Sequence, residues 1–223
     1  MQNKRLYVII KRESEVIFVR LTDFGVVVLY SPVGEVDPMT PIYPRERLLE
    51  ISSCRSESVK KEKIAVWKLL EKAVREFLNL DFDNLKFTKT PNGKWICPEF
   101  YFSLSHSGDI VAVAISRDPV GVDVQKFRLI RQGLAERILT ESELAAFESV
   151  PPDKREEFIH CAWAGKESAF KRDGGECLAP RQRETEGAGV TTFLFEYGNE
   201  KYVLAVAASD ANKNIEILFT EEI

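Results

Sequence analysis

Between residues 58 and 79 the apolar positions Ile64, Trp67, Leu70, Val74, Phe77 and Leu78 recur at three- and four-residue steps. That period predicts one amphipathic helix over 58–79, with its exact start left open by the absence of a clear cap. Upstream, residues 6–31 alternate apolar runs (LYVII, VIFVRL, GVVVLY) with charged or glycine-containing breaks, which predicts an N-terminal β-meander. The proline-rich stretch SPVGEVDPMTPIYP, where backbone donors are repeatedly missing, reads as an irregular connection. In TPNGKW, Asn-Gly offers the positive φ of a tight hairpin. IVAVAIS and VGVDV follow as strands, and Thr140-Glu-Ser-Glu143 is a capping box that opens a helix near 141. A second amphipathic helix covers 153–172, a Gly-, Arg- and Glu-rich loop covers Gly174–Gly189, and TTFLFEY, KYVLAVAAS and IEILF close the chain as strands.

The two long helices echo each other. Trp67-x-x-x-Glu71-x-Ala73-x-Arg75 is repeated as Trp163-x-x-x-Glu167-x-Ala169-x-Lys171, and similar strands follow, Val113-Ala-Ile-Ser116 and Val206-Ala-Ala-Ser209. Two α+β halves, 1–117 and 118–223, are one reading. Coincidence between commonplace helix and strand patterns is the other.

Composition narrows the classes. With 223 residues, 31 basic and 35 acidic, the chain carries −4, which disfavours nucleic-acid binding by bulk charge. No apolar run approaches the ~20 residues of a membrane-spanning helix, and the patch near the start is shorter than a signal-peptide core. Cys54, Cys97, Cys161 and Cys177 form no Cys-x-x-Cys pair, which argues against a zinc site or a disulfide framework and for a reducing cytoplasm.

Three segments hold candidate chemistry. In Val120-Gly-Val-Asp-Val-Gln125, strand alternation puts Asp123 and Gln125 on one polar face, suited to a cation or simply to solvent. In Cys161–Lys171, the residues Trp163, Glu167 and Lys171 share a helix face, either as packing plus a surface ion pair or as working groups. Gly165 costs a helix interior ~1 kcal/mol and would let another backbone approach. The third, Phe102–Asp109, reads as a polar loop in which His106 and small residues suit an anion. A serine hydrolase built from Ser105 or Ser107, His106 and Asp123 is opposed by the lack of a Gly-x-Ser-x-Gly elbow. His160 reads as structural. Lys60, Lys61, Lys63, Lys68, Lys72 and Arg75 outnumber the acids of the first helix and form either a solvated face or a docking strip for an acidic ligand.

In order and spacing, FSLSHSGDIVAVAISRDPVGVDVQK, RILTESELAAF and WAGKESAFK resemble the 4′-phosphopantetheinyl transferases of the surfactin-synthetase-activating type. The likeness covers residues 86–178 well, 58–79 loosely and 1–57 hardly at all. It implies an α+β fold of two similar halves related by a pseudo-two-fold, with the active site at their junction. It also implies transfer of phosphopantetheine from coenzyme A to a serine of an acidic carrier protein, with Mg²⁺ (Mn²⁺ possible) as cofactor and a monomeric enzyme. Residue by residue, Asp123 and Glu167 match metal-binding acids, and Glu167 also the base that activates the serine. Lys171 matches the lysine facing the pyrophosphate, and Lys166 the other lysine of that motif. His106 matches the histidine at the 3′-phosphate, Ser105 lines the nucleotide pocket, and Lys94 falls in a Gly-Lys-Pro position whose proline is here Trp95. Lys60 or Lys61 matches a basic phosphate contact. Gln125 stands where many relatives have glutamate, which implies weaker metal affinity or an altered Mg²⁺/Mn²⁺ preference. It also leaves open a non-catalytic paralogue that binds coenzyme A or a carrier protein.

Overall fold

The computed structural model describes residues 25–37, 39–174, 182, 189–209, 214–221 and 223. Most of the expected N-terminal meander, the loop between Gly174 and Gly189, and Cys177 lie outside them. The meander's last run is strand β1 (Val26–Pro32). The architecture is α+β, with two principal sheets and a long helix on each.

The first sheet has the order β4-β5-β1-β9, with β4 spanning Tyr101–Ser107, β5 Ile110–Ser116 and β9 Ile215–Phe219. β5 runs antiparallel to both neighbours, and β9 joins β1 in parallel. The last strand thus crosses the division expected at 117/118. The second sheet, β6-β8-β7, is antiparallel and consists of Val120–Lys126, Glu200–Ala208 and Val190–Tyr197. The short hairpin β2–β3 (Thr88–Lys89, Trp95–Ile96) turns through Gly93 at φ +82°, whereas Asn92 does not share the positive φ.

Helix α1 (Arg45–Ser52) was not anticipated. Helix α2 (Glu57–Ala73) starts about two turns before its apolar stripe because Ser56 Oγ accepts the N–H of Val59. A π-helical turn, Val74–Leu78, extends it to the left-handed Asn79. Helices α3 (Leu134–Ile138) and α4 (Glu141–Glu148) lead to α5 (Arg155–Arg172). The capping box at Thr140/Glu143 is present as expected.

Burial explains the apolar runs. One face of β1 and β5 (Val27, Leu29, Val111, Val113, Ile115) packs with α2 around Trp67. The other face (Val26, Val28, Ile110, Ala112, Ala114) meets Val120, Val122 and Val124 of β6 and Leu204 and Val206 of β8. Strands covered on both faces lose the apolar/polar alternation. Helix α5 covers the remaining face of the second sheet through Ala164, Val203 and Ala205. Its backbone also approaches β6 closely at Gly121, where a β-carbon on the strand would meet the carbonyl of Ser168.

One assignment changes. Phe102–Ser107, read as a loop, is strand β4. Its Phe102 and Leu104 turn to the α2 core, while its serines turn away to the backbone of β6, so the alternation is that of a strand with a packed face and a hydrogen-bonding face.

Candidate active site

The two sheets are joined edge to edge by hydroxyls. Ser103, Ser105 and Ser107 of β4 accept the N–H groups of Val122, Val124 and Lys126 of β6 at 3.0, 3.1 and 3.0 Å. A serine at every second residue matches the backbone period of the facing strand, so each hydroxyl satisfies one otherwise orphaned donor.

Asp123 points out of this seam toward α5 and is 3% exposed. Its Oδ1 accepts from Lys171 Nζ at 2.7 Å and from Ser105 Oγ at 2.9 Å. Lys171 also donates to Ser105 Oγ at 3.0 Å and to the carbonyl of Val122 at 3.1 Å. Gln125 Nε2 donates to Asp123 Oδ2 at 2.7 Å, so both carboxylate oxygens are engaged. Glu167, four residues before Lys171 and on the same face of α5, is half-buried one turn away.

Among the described residues no group of three or more His, Cys, Asp or Glu side chains is arranged to hold a metal ion. Asp123 nevertheless supplies carboxylate oxygens at the seam, and Gln125 an amide oxygen, which are the ligand types that a hard divalent cation takes. A half-rotation of the Gln125 amide would turn its oxygen toward Asp123 Oδ2, where the two would repel unless a cation lay between them.

Beside this cluster lies a cavity of about 350 Å³ whose basic lining comprises Arg47, Lys63, Lys94 and Lys171 together with the imidazole of His106, with Trp95, Phe102 and Phe170 as apolar walls. Glu50 organises that lining. Its carboxylate meets Arg47 at 3.2 Å, Lys63 at 2.9 Å, Lys89 at 2.8 Å and Trp95 Nε1 at 2.8 Å. Burial opposes its charge, but these donors win and hold the carboxyl well below the usual range. Arg47, almost wholly buried, lies 4.7 Å over the ring of Trp67. Burial lowers the Lys94 ammonium, with Asp173 opposing and Lys171 adding to the shift. Lys94 Nζ donates to the carbonyl of Lys171 at 2.5 Å.

A second cavity of about 430 Å³, bordered by Gln125, Lys126, His160 and Trp163, shares His106 with the first. His106 Nδ1 meets Glu62 at 2.6 Å. Burial pushes this imidazole down, Glu62 pulls it up, and Lys171 and Lys63 add to the lowering.

The structure thus brings Asp123, Gln125, Ser105 and Lys171 into one network, with Lys94 and His106 bordering the adjoining cavity. Other candidates fall elsewhere. Lys166 is 1% exposed and pairs with Glu143 at 2.6 Å, tying the α4 capping box to α5. Lys60 pairs with Glu57 at 2.6 Å, Lys61 is exposed, and neither borders either of these two cavities. Lys63 of α2 does border the first cavity. Ser105 turns its hydroxyl to Asp123 and not into the cavity. The basic strip is also less free than its sequence, since Lys68 and Arg75 both pair with Glu71. The hydrolase arrangement does not assemble, because Ser105 bonds Asp123 directly, Ser107 accepts the Lys126 N–H, and His106 on the opposite face of β4 meets Glu62. His160 is structural as expected, stacked 4.4 Å from Phe127 and bonded to the backbone of Arg128. Arg47 and Glu50 were missed because nothing in α1 marks them as more than a surface helix's charges.

A sequence profile described as the 4′-phosphopantetheinyl transferase superfamily matches residues 119–206. The 4′-phosphopantetheinyl transferase ffp of Bacillus subtilis is 31% identical over 109 residues, 48% of this chain and 49% of that protein. The 4′-phosphopantetheinyl transferase psf-1 of Bacillus pumilus is 32% identical over 109 residues, 48% and 47% of the respective lengths. The chain therefore spans about half the length of the curated relatives it matches. Thermotoga maritima holo-[acyl-carrier-protein] synthase covers 40% of this chain and 62% of its own at 24% identity and a TM-score of 0.31, too slight a likeness to bear on the fold. Residues 119–206, the segment that carries Asp123, Gln125, Glu167 and Lys171, are thus similar in sequence to the 4′-phosphopantetheinyl transferase superfamily.

Proposed function

We propose that the chain transfers 4′-phosphopantetheine from coenzyme A to a serine hydroxyl of an acyl or peptidyl carrier protein. The observation that carries this reading is the meeting of Asp123 and Lys171, 2.7 Å apart, beside a cavity lined by further cations. Coenzyme A is a polyanion with an aromatic base, and a cavity of cations and aromatic walls complements it. Arg47, Lys63 and His106 bind its phosphates in this reading, and Lys171 and Lys94 face the pyrophosphate.

In the reaction, Glu167 takes the proton from the acceptor serine. The serine oxygen forms a bond to the phosphorus that bears pantetheine, and the bond from that phosphorus to the bridging oxygen breaks. Adenosine 3′,5′-bisphosphate leaves with the electron pair, and Lys171 offsets the charge that builds on it. The residues that would hold Mg²⁺ or Mn²⁺ are Asp123, Glu167 and the Gln125 oxygen, and such a cation supplies positive charge to the pyrophosphate when bound. Helix α5 and the seam position these groups before substrate arrives, so catalysis is chiefly orientation and electrostatics.

The cationic rim suits an acidic carrier. Free Cys54, Cys97 and Cys161 suit a reducing cytoplasm, where the enzyme would act as a monomer. Among the described residues no helix is long and apolar enough to cross a membrane. The bonds from Gln125 and Lys171 to both Asp123 oxygens favour, as a second reading, a protein that binds coenzyme A without transferring it.

Incubation with coenzyme A, Mg²⁺ and a panel of apo carrier proteins should add one phosphopantetheine mass to a carrier. Coenzyme A binding without any mass gain would favour the second reading, and the lack of both would end the first.

A further inference from the structure

We infer that Ser105 is a positioning residue that fixes the relative orientation of Asp123 and Lys171, a role separate from binding the nucleotide. The three seam serines make the same bond to β6 at nearly the same length, 3.0, 3.1 and 3.0 Å. They are therefore equivalent as structural pegs. Only Ser105 does more. Its hydroxyl donates to Asp123 Oδ1 at 2.9 Å and accepts from Lys171 Nζ at 3.0 Å, while it still accepts the Val124 N–H. One hydroxyl has a single proton and two lone pairs, so this set uses its whole capacity and fixes the direction of each bond.

The hydroxyl proton must point at Asp123, because both remaining partners are donors. Lys171 in turn distributes its three protons among Ser105 Oγ, Val122 O and Asp123 Oδ1. The ammonium is thus held by one acceptor from β4 and two from β6. Without Ser105, Lys171 loses the acceptor that belongs to the other sheet, and Asp123 loses a donor that turns its carboxylate. At 5% exposure, water has little access to replace either bond. Ser105 acts through these two groups and needs no contact with substrate.

The proposal rests on the roles given above to Asp123 and Lys171, so its test has an arm that does not depend on turnover. The full-length chain and its Ser103→Ala, Ser105→Ala and Ser105→Thr variants would be labelled with an acetylating N-hydroxysuccinimide ester, and the modification of Lys171 quantified by peptide mass spectrometry. Ser103→Ala removes a seam peg and nothing else that the network uses. Ser105→Ala should raise labelling of Lys171 about fivefold over Ser103→Ala at a similar melting temperature, and Ser105→Thr, which keeps the hydroxyl, should return it toward wild type. In the transfer assay Ser105→Ala should lower kcat about tenfold with the KM for coenzyme A within twofold. Equal Lys171 labelling in the two alanine variants overturns the positioning role, as does a loss confined to KM. If wild type transfers nothing while labelling still separates the variants, the transferase reading fails and the positioning role stands.

Discussion

A β-carbon built on Gly121 of β6 would lie 1.8 Å from the carbonyl oxygen of Ser168 in α5. Strand and helix backbones touch there with no side chain between them. Two residues further along β6 stands Asp123, and three further along α5 stands Lys171, and they meet at 2.7 Å. Close packing at the first pair is what brings the second within hydrogen-bond reach.

Gly121→Ala should therefore destabilise the protein by about 3 kcal/mol or more, because backbone atoms on both sides have nowhere to move. Urea denaturation followed by fluorescence measures this. A change below 1 kcal/mol would mean that α5 can lift from β6.

Asp123→Asn keeps the shape of the side chain but removes the charge facing Lys171. Loss of transfer activity by about 10²–10³-fold is expected, with a similar loss for Lys171→Met. The double variant should be little worse than either single one, since the pair works as a unit. Multiplicative losses in the carrier mass-shift assay would show that the two act separately.

Gln125→Glu places a second carboxylate beside Asp123 Oδ2 in place of a donating amide. Repulsion between the two should lower the melting temperature without metal, and Mg²⁺ should restore it. The Mg²⁺ concentration for half-maximal restoration should fall about tenfold relative to wild type. An unchanged titration would exclude position 125 from the metal's ligands.

Lys166→Met should cost about 3 kcal/mol, because it leaves the Glu143 carboxylate without its nearly buried partner. The hydrophobic double replacement, Lys166→Met with Glu143→Leu, should recover part of that loss while still lacking the Glu143 half of the α4 capping box. A thermal-denaturation double-mutant cycle measures the coupling. A phosphate-binding role for Lys166 predicts instead unchanged stability and a raised KM for coenzyme A.

Glu50 makes stability depend on acid. Its folded pKa lies below the unfolded value of 4.5, so its contribution is complete above that value and is lost as pH falls toward the folded one. Between about pH 5 and 3 the wild-type protein should lose more stability than Glu50→Gln. At pH 7 that variant should already be weaker by about 2 kcal/mol, having left three cations and an indole N–H less well paired. Parallel slopes of unfolding free energy against pH would remove Glu50 from the account.

The local sequence determined what local physics governs. The 3.6-residue stripe of α2, the capping box before α4, the glycine turn after β2 and the unbroken apolar runs of β5 and β8 each follow from neighbours a few residues apart. The motif spacing likewise singled out Asp123, Glu167 and Lys171. Tertiary structure decided the rest. Whether FSLSHS is loop or strand depended on β6 offering donors at a matching period, which no local pattern contains. Lys166 and Lys171 look alike in sequence, yet one is buried against α4 and the other reaches across the seam, because they lie five residues apart and so on different faces of one helix. Arg47, Glu50 and Lys63 acquired their place at the cavity only when α1, α2 and the β2–β3 hairpin converged. A charge's role is set by what lies within a few ångströms of it, and chain order does not encode that distance.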